Sequence, residues 1–164
     1  MTVHSSLARR RACAAGAWSL VVAGAVHAAV VAAGTAAPVP AAERAAREAM
    51  ATTHVAIAGL DRTMWQLFTG FSLTMALFIF GLGALNLLVL RRAPHLFLGS
   101  RAALLLNLGI ALPALVLSIL LFPPPPILFL GVSCAAFGYA LARPSALTPA
   151  RPSGYRDGPR GGVR

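Results

Sequence analysis

Residues 65–92 read WQLFTGFSLTMALFIFGLGALNLLVLRR, a long apolar run that ends at two arginines. A helix of about 20 apolar residues crosses the ~30 Å hydrocarbon core of a bilayer, so this stretch is long enough to span a membrane. Of the 164 residues in the chain, 58% are hydrophobic and 11% are charged. Soluble domains carry about a quarter of their residues as charged side chains. The composition therefore excludes an ordinary soluble enzyme and an intrinsically disordered chain.

Three further apolar runs extend this interpretation to the rest of the chain. They predict an all-α fold, an integral membrane four-helix bundle whose helices are antiparallel, because each span must return through the bilayer. The fourth run is short and follows four consecutive prolines, which we expect to form a stiff extended corner. The predicted spans cover about residues 14–37, 65–90, 102–122 and 127–142.

The charge is one-sided and orients these spans. All 14 basic residues are arginines, and four acids leave a net charge of +10. The four spans place eleven arginines on the side of the termini and three, Arg44, Arg47 and Arg62, on the other. The positive-inside rule then predicts that both termini are cytoplasmic, residues 1–13 as a basic N-terminus and 143–164 as a disordered basic tail. Topology thus explains the arginines, and we expect the lipid bilayer as partner and no nucleic acid.

The first apolar run has a second interpretation. Three arginines at 9–11, an alanine-rich core and the small residues at 34–37 resemble a secretory signal peptide. The run is longer than a usual signal core, and Pro38 and Pro40 lie at the likeliest cleavage sites, so we favour an uncleaved span. Cleavage near residue 38 would leave a three-span protein, which a measured mass below the encoded 16.9 kDa would reveal.

The loop between the first two spans carries a helical charge pattern. Glu43 lies four residues before Arg47, and Arg44 lies four residues before Glu48, a spacing that stabilises a helix through ion pairs. Alanines occupy most of the remaining positions. We therefore expect a short helix, at about residues 41–50, lying at the outer interface of the membrane.

Small residues recur at helical spacing along the spans. In lipid such faces let helix backbones approach closely, so they predict packing within the bundle and a homo-oligomer through glycine and alanine faces. The faces are Gly16, Ala23, His27 and Gly34; Gln66, Gly70, Thr74 and Gly81; Ser72, Ala76, Gly83 and Asn86; Asn107, Ala111, Ala114 and Ser118; and Gly131, Ala135, Gly138 and Ala142.

Four intramembrane polar side chains are the candidate functional positions: His27, Gln66, Asn86 and Asn107. His27 is the ionisable side chain near the centre of a span, and such groups are costly in lipid and often functional. Without a carboxylate partner, a structural hydrogen bond to a facing helix is the simpler interpretation, and a proton-accepting or ligand-orienting role is the alternative. We expect Asn86 and Asn107 to pair across their hairpin. Gln66 lies near the outer end of the second span, which Asp61 is expected to cap.

The sequence lacks the usual catalytic motifs. It contains no Walker motif, no H-x-x-x-H pair, no G-x-S-x-G elbow and no acidic residue inside a span. Its four histidines fall in different segments, and two cysteines, Cys13 and Cys134, are too far apart for a zinc site. We therefore predict no catalytic residue, no cofactor and no metal site.

The stretch 65–73 leading into 81–88, together with Asn107, the proline run and His27, resembles a family of small four-span bacterial integral membrane proteins. The resemblance implies the four-span fold and brings no particular activity. An alanine-rich composition without lysine is similar to that of proteins from GC-rich bacteria, which favours a bacterial plasma (inner) membrane.

Three functions stay open at this point. The first is a non-enzymatic accessory or interaction role. The second is a small-molecule transporter or channel subunit, with His27, Asn86 and Asn107 along its route. The third is a membrane enzyme that acts on a lipid or quinone-like molecule with His27 as its acid-base group.

Overall fold

The structure, a computed structural model, describes residues 2–36 and 38–143. The predicted disordered tail therefore lies, beyond Arg143, outside the described residues. In chain order the elements of the described part are α1 (Thr2–Ala36), α2 (Ala41–Thr52), β1 (His54–Ile57), β2 (Leu60–Thr63), α3 (Met64–Arg92), α4 (Pro94–Leu98), α5 (Ala102–Leu121) and α6 (Pro124–Ala142).

Four of these helices, α1, α3, α5 and α6, are long and apolar enough to cross a membrane, as the sequence predicts. Their outward faces carry large apolar side chains; Phe71 and Phe78 of α3 are each 72% exposed, and Leu120 of α5 is 70% exposed. In water such a surface would drive aggregation, whereas in lipid it is the expected exterior. The chain is thus a multi-pass membrane protein.

Helix α1 is the element that the others pack around. It contacts α3 on one side and α6 on the other, and α6 in turn contacts α5. Where α1 meets α3, Gly83 lies against the backbone of Ala17 and Val21, and Gly24 lies against the backbone of Ala76 and Phe80. The residues without side chains thus stand where the two helices come closest. The apolar core consists of Cys13, Leu20, Leu90, Phe97, Leu104, Leu130, Phe137 and Ala140.

Two serines connect α1 to α6 by hydrogen bonds to backbone carbonyls. The Ser133 hydroxyl donates to the carbonyl of Gly16 at 2.9 Å, and the Ser19 hydroxyl donates to the carbonyl of Phe129 at 2.8 Å. The Phe137 ring packs against Gly16 beside the first of these bonds. A hydroxyl in lipid needs a partner, so both bonds stabilise the contact between the helices.

The proline run begins α6 and does not form the extended corner expected from the sequence. Pro123 is the N-cap residue in an extended conformation, and helix starts at Pro124. The first N–H groups of a helix have no acceptor within it, so prolines in the first turn lose no hydrogen bond, and their fixed φ suits the helix. The expected corner was wrong, and the fourth apolar helix is longer than its predicted span.

A short β-hairpin, which the sequence did not lead us to expect, follows α2 in the segment between α1 and α3. Strands β1 and β2 pair antiparallel through a turn at Ala58 and Gly59, whose φ values are +50° and +81°. The His54 imidazole lies 2.9 Å from the Asp61 carboxylate across this hairpin. Asp61 therefore pairs with His54 and does not cap α3, which corrects the expectation from sequence.

Candidate functional site

A cavity of about 340 Å³ lies among the four long helices. Its walls are apolar apart from two side chains, His27 of α1 and Ser118 of α5. Proline side chains from the start of α6 also contribute to the lining. Small-molecule sites in proteins are mostly apolar, hold a few polar groups and measure about 300–1,000 Å³, so this cavity falls in the range of a ligand site.

The His27 imidazole has a buried nitrogen, Nε2, without a hydrogen-bond partner in the described part of the chain. The hydrogen bond to a facing helix, which the sequence makes the simpler expectation, is therefore not seen in this part of the chain. A buried donor or acceptor without a partner costs about 1–3 kcal/mol. His27 also lines the cavity, but its buried Nε2 atom is enclosed by the protein and does not face that space.

Helices α3 and α5 form one side of the cavity. In the described part of the chain these two helices do not pack along their length, whereas α3 packs on α1, α1 on α6 and α6 on α5. Met75 of α3 and Leu117 of α5 both line the cavity and are 37% and 53% exposed. In a bilayer, the space beside these exposed side chains would be filled by lipid.

Asn86 and Asn107 hold α3 and α5 together away from the cavity. The Asn107 amide donates to the Asn86 carbonyl oxygen at 3.3 Å, and the Asn86 amide donates in return to the Asn107 carbonyl oxygen. Asn107 also donates to the backbone carbonyl of Ala103 at 2.8 Å. Both side chains are buried, and the pairing predicted from the sequence is present. Since each amide satisfies the other, the pair is a structural clamp between the two helices.

Gln66 has a local role at the start of α3. Its backbone N–H donates to the Thr63 hydroxyl at 3.2 Å, and its side-chain oxygen accepts from the Thr63 N–H at 3.1 Å. This reciprocal arrangement is a capping box, which satisfies two N–H groups at the helix start. Gln66 is exposed and is not among the residues lining the His27 cavity. Of the four polar candidates, only His27 therefore lies on the cavity.

Arg47 attaches α2 to the ends of two membrane helices. Its guanidinium donates to the carbonyl of Gly34 at 2.8 Å and lies 4.6 Å from the centre of the Trp65 ring. Gly34 belongs to the last turn of α1, where the negative end of the helix dipole also stabilises a cation. The expected Glu43–Arg47 ion pair is not formed within the described residues, because Arg47 is used for these contacts instead.

Arg9 is a buried residue that charge counting alone assigns to the exposed cytoplasmic side. Its side chain is 1% exposed, and its Nη1 donates to the carbonyl of Leu98 at 3.1 Å. It thereby joins the beginning of α1 to α4. The sequence gives no signal that distinguishes it from the neighbouring Arg10 and Arg11.

No group of three His, Cys, Asp or Glu side chains in the described ranges is placed to hold a metal ion. Comparison with protein-family models, with curated proteins and with solved structures finds no match. The geometry of the cavity at His27 is therefore the basis on which a function can be inferred.

Proposed function

We propose that this protein is a non-enzymatic membrane protein with an accessory role, which holds a small membrane-soluble molecule in the cavity at His27. One observation carries the proposal: an apolar cavity of about 340 Å³, with His27 and Ser118 as the polar residues of its lining, lies among the four long helices. Met75 of α3 and Leu117 of α5 line it and are exposed, which supports a path for such a molecule from the bilayer.

The proposed topology is an antiparallel four-helix bundle with both termini in the cytoplasm. The order of contacts between α1 and α3 supports the antiparallel arrangement. Ala17 of α1 contacts Gly83 of α3, whereas Gly24, later in α1, contacts Ala76, which is earlier in α3. The arginine distribution supports the orientation. The contact of Arg47 with Trp65 supports a position of α2 at the outer interface, where tryptophan is enriched.

The proposed membrane is a bacterial plasma membrane, and the proposed assembly is a homo-oligomer. The alanine-rich, lysine-free composition and the resemblance to small four-span bacterial proteins support the first. For the second, a Cβ added at Gly131 or Gly138 of α6 would meet no described atom within 4 Å, and Ala135 between them is exposed. This face of α6 is thus available to a second copy.

Binding is favoured over transport or catalysis by what surrounds the polar side chains. A transport route would use Asn86 and Asn107, but their amides already satisfy each other. An acid-base role for His27 would usually need a second group to orient the imidazole, such as a carboxylate. No acidic side chain is among the residues lining the cavity.

Filling the cavity tests this proposal. Ala114 lines the cavity, so Ala114→Phe should occupy part of it, whereas Ala29→Phe places the same side chain at an exposed position of α1 that does not line the cavity. Each protein is purified in mild detergent and examined by native mass spectrometry, with circular dichroism to confirm its helix content. We expect the wild-type protein and Ala29→Phe to retain a small molecule near one per chain, and Ala114→Phe to lose it.

Two results would contradict the proposal. One is a wild-type protein that carries nothing beyond the bulk lipids of the membrane. The other is a folded Ala114→Phe protein that carries the same molecule at the same occupancy as the wild type.

A further inference from the structure

We infer that the cavity takes up the hydrocarbon tail of a lipid and leaves the polar head outside, at the membrane surface beside the connection between α5 and α6. In the proposed topology this surface is the outer one. The inference rests on the proposed function and names the part of the ligand that the site recognises.

One end of the cavity lies at the ends of the membrane helices. Phe122 and Pro123, which connect α5 to α6, line the cavity and are exposed. From there the lining follows α6 as far as Leu130, six residues after its start, and α1 as far as Ala23, thirteen residues before its end. At ~1.5 Å per residue these depths are about 9 and 20 Å, which bracket the ~15 Å half-thickness of a hydrocarbon core. The cavity thus has the depth of one leaflet, where lipid tails lie.

The walls of the cavity give a polar head few partners. The polar side chains of the lining are His27 and Ser118; the Nε2 atom of His27 is enclosed, and Ser118 is 4% exposed. No charged side chain is among the described residues that line the cavity. A polar group buried without a hydrogen bond is unfavourable, whereas apolar cavities stay dry and take up hydrocarbon. The tail therefore enters, and the head remains outside.

The proline run makes the surface end of the cavity a poor site for a phosphate. A helix N-terminus usually binds phosphate through its free N–H groups. In α6 the first three positions are Pro124, Pro125 and Pro126, and proline has no N–H. Pro125 and Pro126 are also part of the lining. The start of α6 thus lacks the donors that would select a phosphate head, so we expect recognition of the tail alone.

The volume of the cavity sets the number of carbons that it holds. At ~30 Å³ for each water-sized group, about 340 Å³ accommodates roughly eleven methylene groups. This is the greater part of one lipid tail and too little for two. The cavity therefore takes a single tail from each lipid.

Lysophosphatidylcholines with tails of eight, ten, twelve and fourteen carbons test the role of the tail. Each is titrated into the purified protein in amphipol, and the bound fraction is read by native mass spectrometry. Each added methylene should raise the affinity by up to about fourfold until the cavity is filled, at roughly eleven carbons, and little beyond that length. In Ala114→Phe the rise should stop at a shorter tail, because the added ring occupies part of the cavity. The control Ala29→Phe should follow the wild type.

Three lipids with the same twelve-carbon tail test the role of the head: lysophosphatidylcholine, lysophosphatidylglycerol and monoacylglycerol. Their heads are zwitterionic, anionic and neutral. If the head stays outside, their affinities should agree within about twofold, which is no more than the effect of one weak hydrogen bond.

Brominated lysolipids test which end of the lipid enters. Phe122→Trp, in a chain with Trp18→Phe and Trp65→Phe, places one fluorescent reporter at the surface end of the cavity. Bromine near the head should quench this tryptophan more strongly than bromine at the end of the tail. The same reporter in Ala114→Phe measures quenching by lipid outside the cavity, which is subtracted.

A difference of more than about tenfold among the three heads would overturn the inference, and so would stronger quenching by bromine at the end of the tail. If Ala114→Phe loses helix content, the wild-type series of tails and heads decides. If the purified wild-type protein carries a small molecule and no lysolipid binds, the proposed function holds and the inference fails. If the protein carries no molecule and no lysolipid binds, the proposed function fails as well.

Discussion

Gly83 sets how closely α1 and α3 approach, so Gly83→Ala should force these helices apart. A Cβ at this position would lie 2.7 Å from the backbone oxygen of Ala17 and 2.7 Å from the backbone nitrogen of Val21. Non-bonded heavy atoms are at their best separation at ~3.5–4.0 Å, so the contact must open by about 0.8 Å. Backbone atoms cannot rotate aside as a flexible side chain could. The two helices must therefore move as wholes or bend.

The expected cost follows from two opposing effects. Inserting a carbon into a close-packed interior costs about 1–3 kcal/mol. Alanine is a better helix former than glycine by about 0.8–1.0 kcal/mol, which works in the other direction. Because the second effect offsets part of the first, we expect Gly83→Ala to lower the free energy of unfolding by up to about 2 kcal/mol. Gly81→Ala is the matched control, because its Cβ would meet no described atom within 4 Å.

The assay is unfolding of the purified protein by increasing SDS in mixed micelles, followed by circular dichroism. Gly83→Ala should unfold at a lower SDS fraction than the wild-type protein, and Gly81→Ala at the same fraction or a higher one. If Gly83→Ala and Gly81→Ala unfold together, the close approach of α1 and α3 does not exist as described, and the reasoning is refuted.

Three further outcomes are expected. In a double-mutant cycle with Asn86→Ala and Asn107→Ala, unfolding in SDS should give a coupling of about 0.6 kcal/mol and at most about 1.7 kcal/mol, and a coupling of zero would contradict the paired amides. Arg47→Ala should raise hydrogen exchange in α2 and shift Trp65 fluorescence, since a hydrogen bond and a cation–π contact of about 0.5–1 kcal/mol are lost; Arg44→Ala, at an exposed position of the same helix, should change neither. A green fluorescent protein fused to the C-terminus should fluoresce in a bacterial host, and a fusion active only outside the cytoplasm would disprove the proposed orientation.

The four membrane helices could be predicted because few backbone structures satisfy their own hydrogen bonds in lipid. An apolar run of about 20 residues must satisfy its own backbone hydrogen bonds there, and a helix does so. The same reasoning predicts the bond between Asn86 and Asn107, since each amide needs a partner in an apolar surrounding. In both cases the prediction depends on the residues themselves and on their solvent, and it needs no knowledge of distances between helices.

The hairpin and the cavity depend on information that local patterns lack. The hairpin turn uses Ala58 at positive φ before Gly59, where the usual signal would be asparagine or aspartate before glycine. The helical spacing of small residues predicts two packing faces on α3, and it does not show which of them contacts α1. The structure packs the face of Ala76 and Gly83 against α1 and leaves Gly81 open. The cavity beside His27 results from the separation of α3 and α5, and the residue pattern of one helix does not determine its distance from another.

The central position of α1 has a consequence for how the protein is made. Chains are synthesised from the N-terminus, so α1 enters the membrane before either of the helices that cover it. Its Gly16 carbonyl receives the Ser133 hydroxyl only when α6, the last of the described helices, has been inserted. Removal of α1 by signal peptidase would take away the surface on which both α3 and α6 pack. In the assembled fold, α1 therefore gains its contacts with α6 only after α6 has been synthesised.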